Sequence, residues 1–310
     1  MNNDFIICFF GKYLRNENSH YKMRTLPLLD EMKKYFNHCY LNPRDKIISK
    51  YIKKKFILIH IKSEEIPKKF LQIKNKLVIW DVIDSLKTTQ PNNILKDNLF
   101  KTKYQYSNII NCPNCAMKNF LRKKKNNHLK RKYVFIPHNW DPRIDKYLDE
   151  HNQKIQEFKT PKIGYLGIPD RESKNENDYI SKIDEINYLG RMFNATNIGT
   201  FNCLCSLRDE KTSFGKPATK SYVAASFNAI IISHYHEYGV RDLYGDEYPY
   251  YIKNQEKSEL QNIRNTIDYI KQTYNSDIWN NAMQIAQSVK EKTSIEYVGL
   301  QFKDLILQNI

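Results

Sequence analysis

The chain has 310 residues, 41% of them hydrophobic and 13% aromatic, with a mean hydropathy of −0.68. That length suits two domains of about 150 residues each. The composition supplies folded cores and excludes a helical integral membrane protein, because no apolar run approaches the roughly 18 residues that span a bilayer.

The net charge of +16 is unevenly placed. Residues 1–150 carry 31 Lys and Arg against 14 Asp and Glu, whereas residues 151–310 carry 19 against 20. Clusters such as "KKK" at 53–55 and "RKKKNNHLKRK" at 122–132 concentrate the excess. A basic half of this kind suits an anionic partner: a membrane surface, a nucleic acid or an acidic glycan. The plain alternative is solvated lysine faces together with the coding bias that richness in Lys, Asn and Ile suggests.

The opening "MNNDFIICFFGKYL" holds only six consecutive apolar residues behind an acidic one. A signal peptide needs a basic start and a longer apolar stretch, so these residues read as a first β-strand and the expected location is cytoplasmic. "RTLPLLDEMKKYF" (24–36) has helical spacing. "FILIHI" (56–61) and "LVIWDVID" (77–84) are continuous apolar runs, as in strands buried on both faces of a parallel sheet. "YSNIINC" (106–112) is a weaker strand, "AMKNFLRKK" (116–124) a helix, and "YVFIPH" (133–138) a closing strand.

A polar stretch follows, and the domain boundary is expected near 141–160, giving domains of 1–150 and 151–310. In the second half "KIGYLGIP" (162–169) reads as strand and "YISKIDEINYLGRMF" (179–193) as helix. "FNCLCSL" (201–207) reads as strand, "ATKSYVAASF" (218–227) as helix, and "AIIISH" (229–234) and "YPYYI" (248–252) as strands. Three helical stretches close the chain. Alternation of strands and helices in both halves predicts two doubly wound, Rossmann-like α/β domains facing across a cleft. Ligands of such sheets bind at the carboxyl ends of the strands.

The six cysteines are spread through a large chain and read as reduced thiols. "CPNC" (112–115) is half of a zinc ribbon without its second pair, so no metal site is expected.

"FGKPATKSYVAASFNAIIIS" (214–233) is the segment richest in chemistry. Gly215 and Pro217 break the preceding structure, Thr219 or Ser221 caps or begins a helix, and Ala224, Ala225 and Ser226 allow close packing on a sheet. Free N–H groups at a helix start attract anions, and Lys216 and Lys220 add point charges there. The plain alternative is an ordinary helix start with two exposed lysines.

The order strand, G-K-P-x-x-K, small-residue helix, buried strand ending in Ser resembles the donor-binding half of GT-B glycosyltransferases, some branches of which carry K-P-x-x-K/R at this point. "VFIPHNWDPR" (134–143) is similar to their strand and interdomain linker, "KIGYLG" to the first strand of their second domain, and the final helices to those that pack back on the first domain. The resemblance implies an enzyme that moves a sugar from a nucleotide-sugar donor to a glycan or a lipid-linked or anionic acceptor. Lys216, Lys220 and Thr219 would hold the diphosphate, with Arg208, His138 and His234 as further donor contacts. It also implies no metal and no cofactor beyond the nucleotide-sugar co-substrate. The chain departs from the E-x₇-E pattern of some retaining members, having Thr212 and Lys220 at those positions.

An inverting enzyme would need a general base from the first domain. Asp84, at the predicted carboxyl end of "WDVID", is the first choice and His60 the second; the structural alternatives are a helix cap and a core histidine. The basic half would face an anionic membrane or acceptor. Two other classes fit less well: a nucleic-acid-binding protein, whose basic run at 122–132 lacks the interleaved aromatics expected of one, and a non-catalytic nucleotide- or sugar-binding module.

Overall fold

Phe5–Phe10 is buried along its whole length, and the two faces of this strand explain the layers around it. The computed structural model is described for residues 5–11, 21–62, 65–83, 98–124, 131–144, 158–166, 182–190, 200–208, 210–256 and 258–310. The chain divides into two compact units. The first comprises residues 1–139, 214–217 and 294–310, and the second 140–213 and 218–293.

In the first unit, β1 (Phe5–Phe10), β2 (Cys39–Leu41), β3 (Lys55–Ile61), β4 (Lys76–Asp81), β5 (Ile109–Asn111) and β6 (Lys132–Val134) form one parallel sheet in the order β2-β1-β3-β4-β5-β6. Side chains alternate across a strand. Ile7, Phe9, Ile57, Ile59 and Ile79 therefore share one face, packed against Leu28, Leu29 and Met32 of α1 (Leu26–Lys33) and Val298, Phe302 and Ile306 of a C-terminal helix, Ile295–Leu307. Ile6, Cys8, Phe10, Leu58 and Val78 share the other, packed against Ile66 and Phe70. Cover on both faces is why these strands read as unbroken apolar runs. Short helices α2 (Asp45–Lys50) and α3 (Lys68–Leu71), then α4 (Asn98–Tyr106) and α5 (Cys115–Lys123), make the remaining connections.

The strand β2 escapes the sequence reading because it is three half-buried residues at a sheet edge. The helix expected at 116–124 begins one residue earlier, at Cys115. Its N-cap is Asn114, whose side chain accepts a hydrogen bond from the Met117 N–H at 2.8 Å. The "CPNC" segment is thus a strand end followed by a helix cap. Burial pushes the Cys112 thiol well above its ordinary range.

In the second unit, β7 (Ile163–Leu166), β8 (Ile186–Gly190), β9 (Cys203–Ser206), β10 (Ile230–His234) and β11 (Tyr251–Ile252) form a parallel sheet in the order β11-β10-β9-β7-β8. Between them run α6 (Glu210–Ser213), α7 (Thr219–Ser226) and α8 (Tyr238–Tyr244), followed by α9 (Glu259–Thr273) and α10 (Asp277–Lys292). The helix Ile295–Leu307, here α11, is the last element.

One expectation is corrected. The segment 179–193 reads as a helix because Ile180, Ile183, Ile186 and Leu189 recur every three residues, yet its described part, 182–190, passes through a turn into the strand β8, with Ile163 opposite Ile186 and Tyr165 opposite Tyr188. The open edge of β7 supplies backbone partners for Ile186–Gly190, and unpaired backbone groups outweigh a marginal side-chain period. The helix α7 ends at Ser226 with Phe227 as its C-cap, and Asn228 adopts a left-handed φ of 54°. That turn brings the Ala229 N–H onto the Ala224 carbonyl at 2.9 Å and feeds the chain into β10. Asn is among the few residues that take this conformation cheaply. Among the described residues no helix is long and apolar enough to cross a membrane.

Candidate functional site

The second unit holds four of the eight candidate residues that the sequence singles out, Arg208, Thr219, Lys220 and His234, on segments around the carboxyl ends of β9 and β10. Ser206 ends β9, and its hydroxyl donates to the Glu237 carboxylate at 3.0 Å; the Arg208 N–H points to the same carboxylate at 3.4 Å. Glu237 is only 2% exposed and precedes α8. His236 shares a 2.8 Å hydrogen bond with the Arg208 carbonyl through Nε2, and its own carbonyl accepts from the Ser213 hydroxyl at 3.0 Å. These bonds tie the loop after β9 to the loop after β10. Glu237 carried no signal in the sequence, since a lone Glu beside two histidines fits no motif.

The helix α7 begins in the same region. Its N-cap is Ala218, without a side-chain cap, and the Ser221 hydroxyl turns back to the Ala218 carbonyl at 2.7 Å. Neither Thr219 nor Ser221 is therefore the cap. Thr219 is the first helical residue, half-buried. A Cβ on Gly239 would stand 3.2 Å from both the Cβ and the N of Ala218. The absence of that atom lets α8 approach the start of α7. Lys220 places its ammonium 3.7 Å from the centroid of the Tyr165 ring, a cation–π contact on β7. The charge is thereby held beside the end of the first strand of this sheet.

His234 ends β10 with no exposed surface, stacks on His236 at 4.7 Å, and faces the Glu259 carboxylate at 3.2 Å. It is a buried member of this edge rather than an open one. Lys216 groups with the first unit, as does all of Phe214–Pro217. There Asn114 donates to the Phe214 carbonyl at 2.9 Å, and Phe120 meets the Phe214 ring edge-on at 5.6 Å. The two lysines that flank the helix start thus belong to different compact units.

The first unit has its own polar cluster at the carboxyl end of its sheet. Asp81, the last residue of β4, accepts from Arg24 Nε at 2.9 Å and from Asn111 Nδ2 at 2.7 Å. Arg24, fully buried, also donates to the Pro137 carbonyl and to Asn139 Oδ1, and lies over the Phe302 ring at 5.1 Å. One ion pair thus joins the segment before α1, β4, β5, the strand-end segment 136–139 and α11. His138 lies in that pinned segment, 6% exposed, with Nδ1 2.5 Å from the Asn139 carbonyl. His60 is fully buried on β3, 3.2 Å from the Ser107 hydroxyl and stacked on Trp80 at 5.8 Å. These contacts are those of a core histidine. Asp84 lies outside the described residues. Among the described residues no three His, Cys, Asp or Glu side chains are grouped to hold a metal ion.

Two units, each a parallel sheet layered by helices with polar groups at the carboxyl edge, define a two-sheet α/β protein of GT-B type. Solved structures with this fold are similar to the chain over nearly its whole length. A glycosyltransferase from Rickettsia africae matches with a TM-score of 0.58 and 11% identity, over 99% of this chain and 100% of that one. Sucrose-phosphate synthase from Thermosynechococcus elongatus matches at 0.58 and 10%, over 97% and 98%. HepE of Anabaena in complex with UDP-glucose matches at 0.55 and 9%, over 97% and 99%. No protein-family model and no curated protein matches the sequence.

Proposed function

We propose that this chain is a glycosyltransferase that moves a sugar from a nucleotide-sugar donor to a glycan or a lipid-linked or anionic acceptor. What carries the reading is the fold, common to glycosyltransferases over almost the full length of both chains, one of them bound to UDP-glucose. In the second unit the donor diphosphate would meet the opening turn of α7, where N–H groups lack intrahelical partners. The Thr219 hydroxyl and the Lys220 ammonium lie on that turn. Negative charge develops on the departing nucleoside diphosphate as the glycosidic bond breaks. Fixed donors aimed there lower the barrier because they need no reorganisation during the reaction.

Arg208 is held by backbone bonds on the adjoining loop, and Glu237 fixes that loop. The base of an inverting reaction would come from the first unit. Asp84 remains the proposed residue for that role, since the partners of His60 account for it within the core. The proposed reaction runs without a metal or other cofactor. The excess of Lys and Arg in residues 1–150 suits an anionic acceptor or membrane surface.

The test is a thermal-shift screen of the purified chain against UDP, GDP, CMP, ADP and dTDP, with and without a divalent metal. One nucleotide at about 100 times its dissociation constant should stabilise the protein by about 2.7 kcal/mol. Stabilisation without metal supports the reading and names the donor class. No stabilisation by any of the five removes it.

A further inference from the structure

A recess opens at the edge of the second sheet, away from the residues assigned to the diphosphate. It has a volume of about 380 Å³ and is lined by Tyr235 and His236 after β10, Asp246 and Glu247 after α8, and Lys253 and Asn254 after β11. That size falls within the roughly 300–1,000 Å³ of small-molecule sites. Four of these walls, Tyr235, His236, Lys253 and Asn254, directly follow the carboxyl ends of β10 and β11, the side on which open parallel sheets bind ligands. Asp246 and Glu247 come from the connection between α8 and β11.

Its frame is fixed. The Tyr235 N–H bonds to the Ile252 carbonyl at 3.2 Å, joining two walls. The third is set by Gly245, whose φ of 82° ends α8 and whose carbonyl accepts from the Tyr251 hydroxyl at 2.9 Å. The Tyr235 ring meets Tyr251 edge-on at 5.5 Å and Arg241 at 4.7 Å, yet keeps 39% of its surface exposed. Arg241 also pairs with Asp246 at 3.2 Å. The side chains of Glu247, Lys253 and Asn254 are exposed and make no hydrogen bond among the described residues.

The chemistry of the walls narrows the ligand. Two carboxylates oppose a phosphate, while Lys253 and Arg241 beside them oppose a divalent cation. Asp246 is paired with Arg241, and Glu247 and Lys253 carry one charge of each sign, so the recess has no net formal charge that would select a charged ligand. What remains is one partly exposed aromatic ring ringed by carboxylate, amide and ammonium groups. A pyranose ring, with its apolar C–H face and a rim of hydroxyls that each donate and accept, fits that set.

We infer that this recess is a binding subsite for a neutral pyranose, with Tyr235 as its platform and Glu247, Lys253 and Asn254 as its hydroxyl partners. The sugar is either the hexose of the donor itself or a residue of a glycan. The inference deepens the glycosyltransferase reading, and its first test uses no nucleotide, so either can fail alone.

Saturation-transfer NMR of the full chain with methyl α-D-glucopyranoside, maltose, lactose and chitobiose should show transfer to at least one of them. Tyr235→Ala should weaken that binding about tenfold or more. Glu247→Gln, an exposed change that leaves the fold alone, should weaken it several-fold. A second arm compares UDP with UDP-glucose in the wild type and Tyr235→Ala. If UDP-glucose binds more tightly than UDP and the variant loses that advantage, the recess takes the donor hexose. If the advantage persists while saccharide binding is lost, it takes a glycan. If no saccharide binds the wild type and the UDP-glucose advantage is unchanged in Tyr235→Ala, the inference is overturned.

Discussion

The carboxyl edges of the two sheets carry charge in opposite ways. In the first unit Arg24 and Asp81 are both buried, and the pair is enclosed by Asn111, Asn139 and the Pro137 carbonyl. In the second, Lys220 stands half-buried against Tyr165, and Thr219 opens a helix whose N–H groups have no side-chain cap. Desolvated charges are costly unless paired, so Nε and Nη1 of Arg24 are spent on holding five segments together. Its Nη2 is buried without a hydrogen-bond partner among the described residues. The Lys220 charge, at a helix start, is only partly withdrawn from solvent. Similar residue types at the same topological place therefore serve architecture in one unit and, under the proposed function, would serve recognition in the other.

Breaking the first arrangement should have the largest effect. Arg24→Ala leaves Asp81 buried without its cation and should cost about 3–5 kcal/mol in urea unfolding. A cost below about 1 kcal/mol would show that water replaces the guanidinium and that the pair is not the joint described. In the second unit the same kind of change should fall on binding instead. Lys220→Ala should lower affinity for the stabilising nucleoside diphosphate about 10- to 100-fold, the value of one charge-assisted hydrogen bond. Its melting temperature should stay close to that of the wild type. Equal affinity in calorimetry would move the diphosphate away from α7.

Gly299→Ala tests the packing of α11 on α1, because a Cβ there would stand 2.2 Å from Glu31 Cγ. Glu31 is 3% exposed and bonded to Tyr35, whose hydroxyl is pushed up to about 12, chiefly by burial and then by that bond. Overpacking there should cost about 1–3 kcal/mol, and an unchanged melting temperature would mean that Glu31 simply swings aside. The smallest effect is expected on the surface, where Lys271 of α9 pairs with Glu185 at 2.8 Å. The hydrogen bond from Lys271 lowers the Glu185 carboxyl below its ordinary value. The stabilisation is then present above the unfolded carboxyl range and is lost as the pH falls through the folded value. Lys271→Ala should cost less than about 1 kcal/mol. Wild type and variant should converge on acidification, and a gap that widened with acid would contradict the sign.

The strands β1, β3, β4 and β10 were legible because burial on both faces leaves an unbroken apolar run, which few other elements produce. The helix α7 was legible from its small residues and the breaks before it. The edge strand β8 was not, since Ile183, Ile186 and Leu189 carry a helical spacing and the pairing that decides the matter lies on β7, more than twenty residues away. Glu237 went unnoticed for a similar reason. Its role is set by Ser206 and Arg208, which only the adjacency of β9 and β10 brings near. The grouping of Phe214–Pro217 with the first unit, through Asn114 and Phe120, leaves no trace in the local sequence.

The sequence by itself determined two α/β units, the core strands and the placing of Thr219 and Lys220 at a helix start, because periodicity and chain-breaking residues act over a few neighbours. Only the tertiary structure decided which polar residues are joints and which remain near solvent. Burial and hydrogen-bond completion depend on residues such as Arg24, Asp81 and Asn139, drawn from segments up to 115 positions apart.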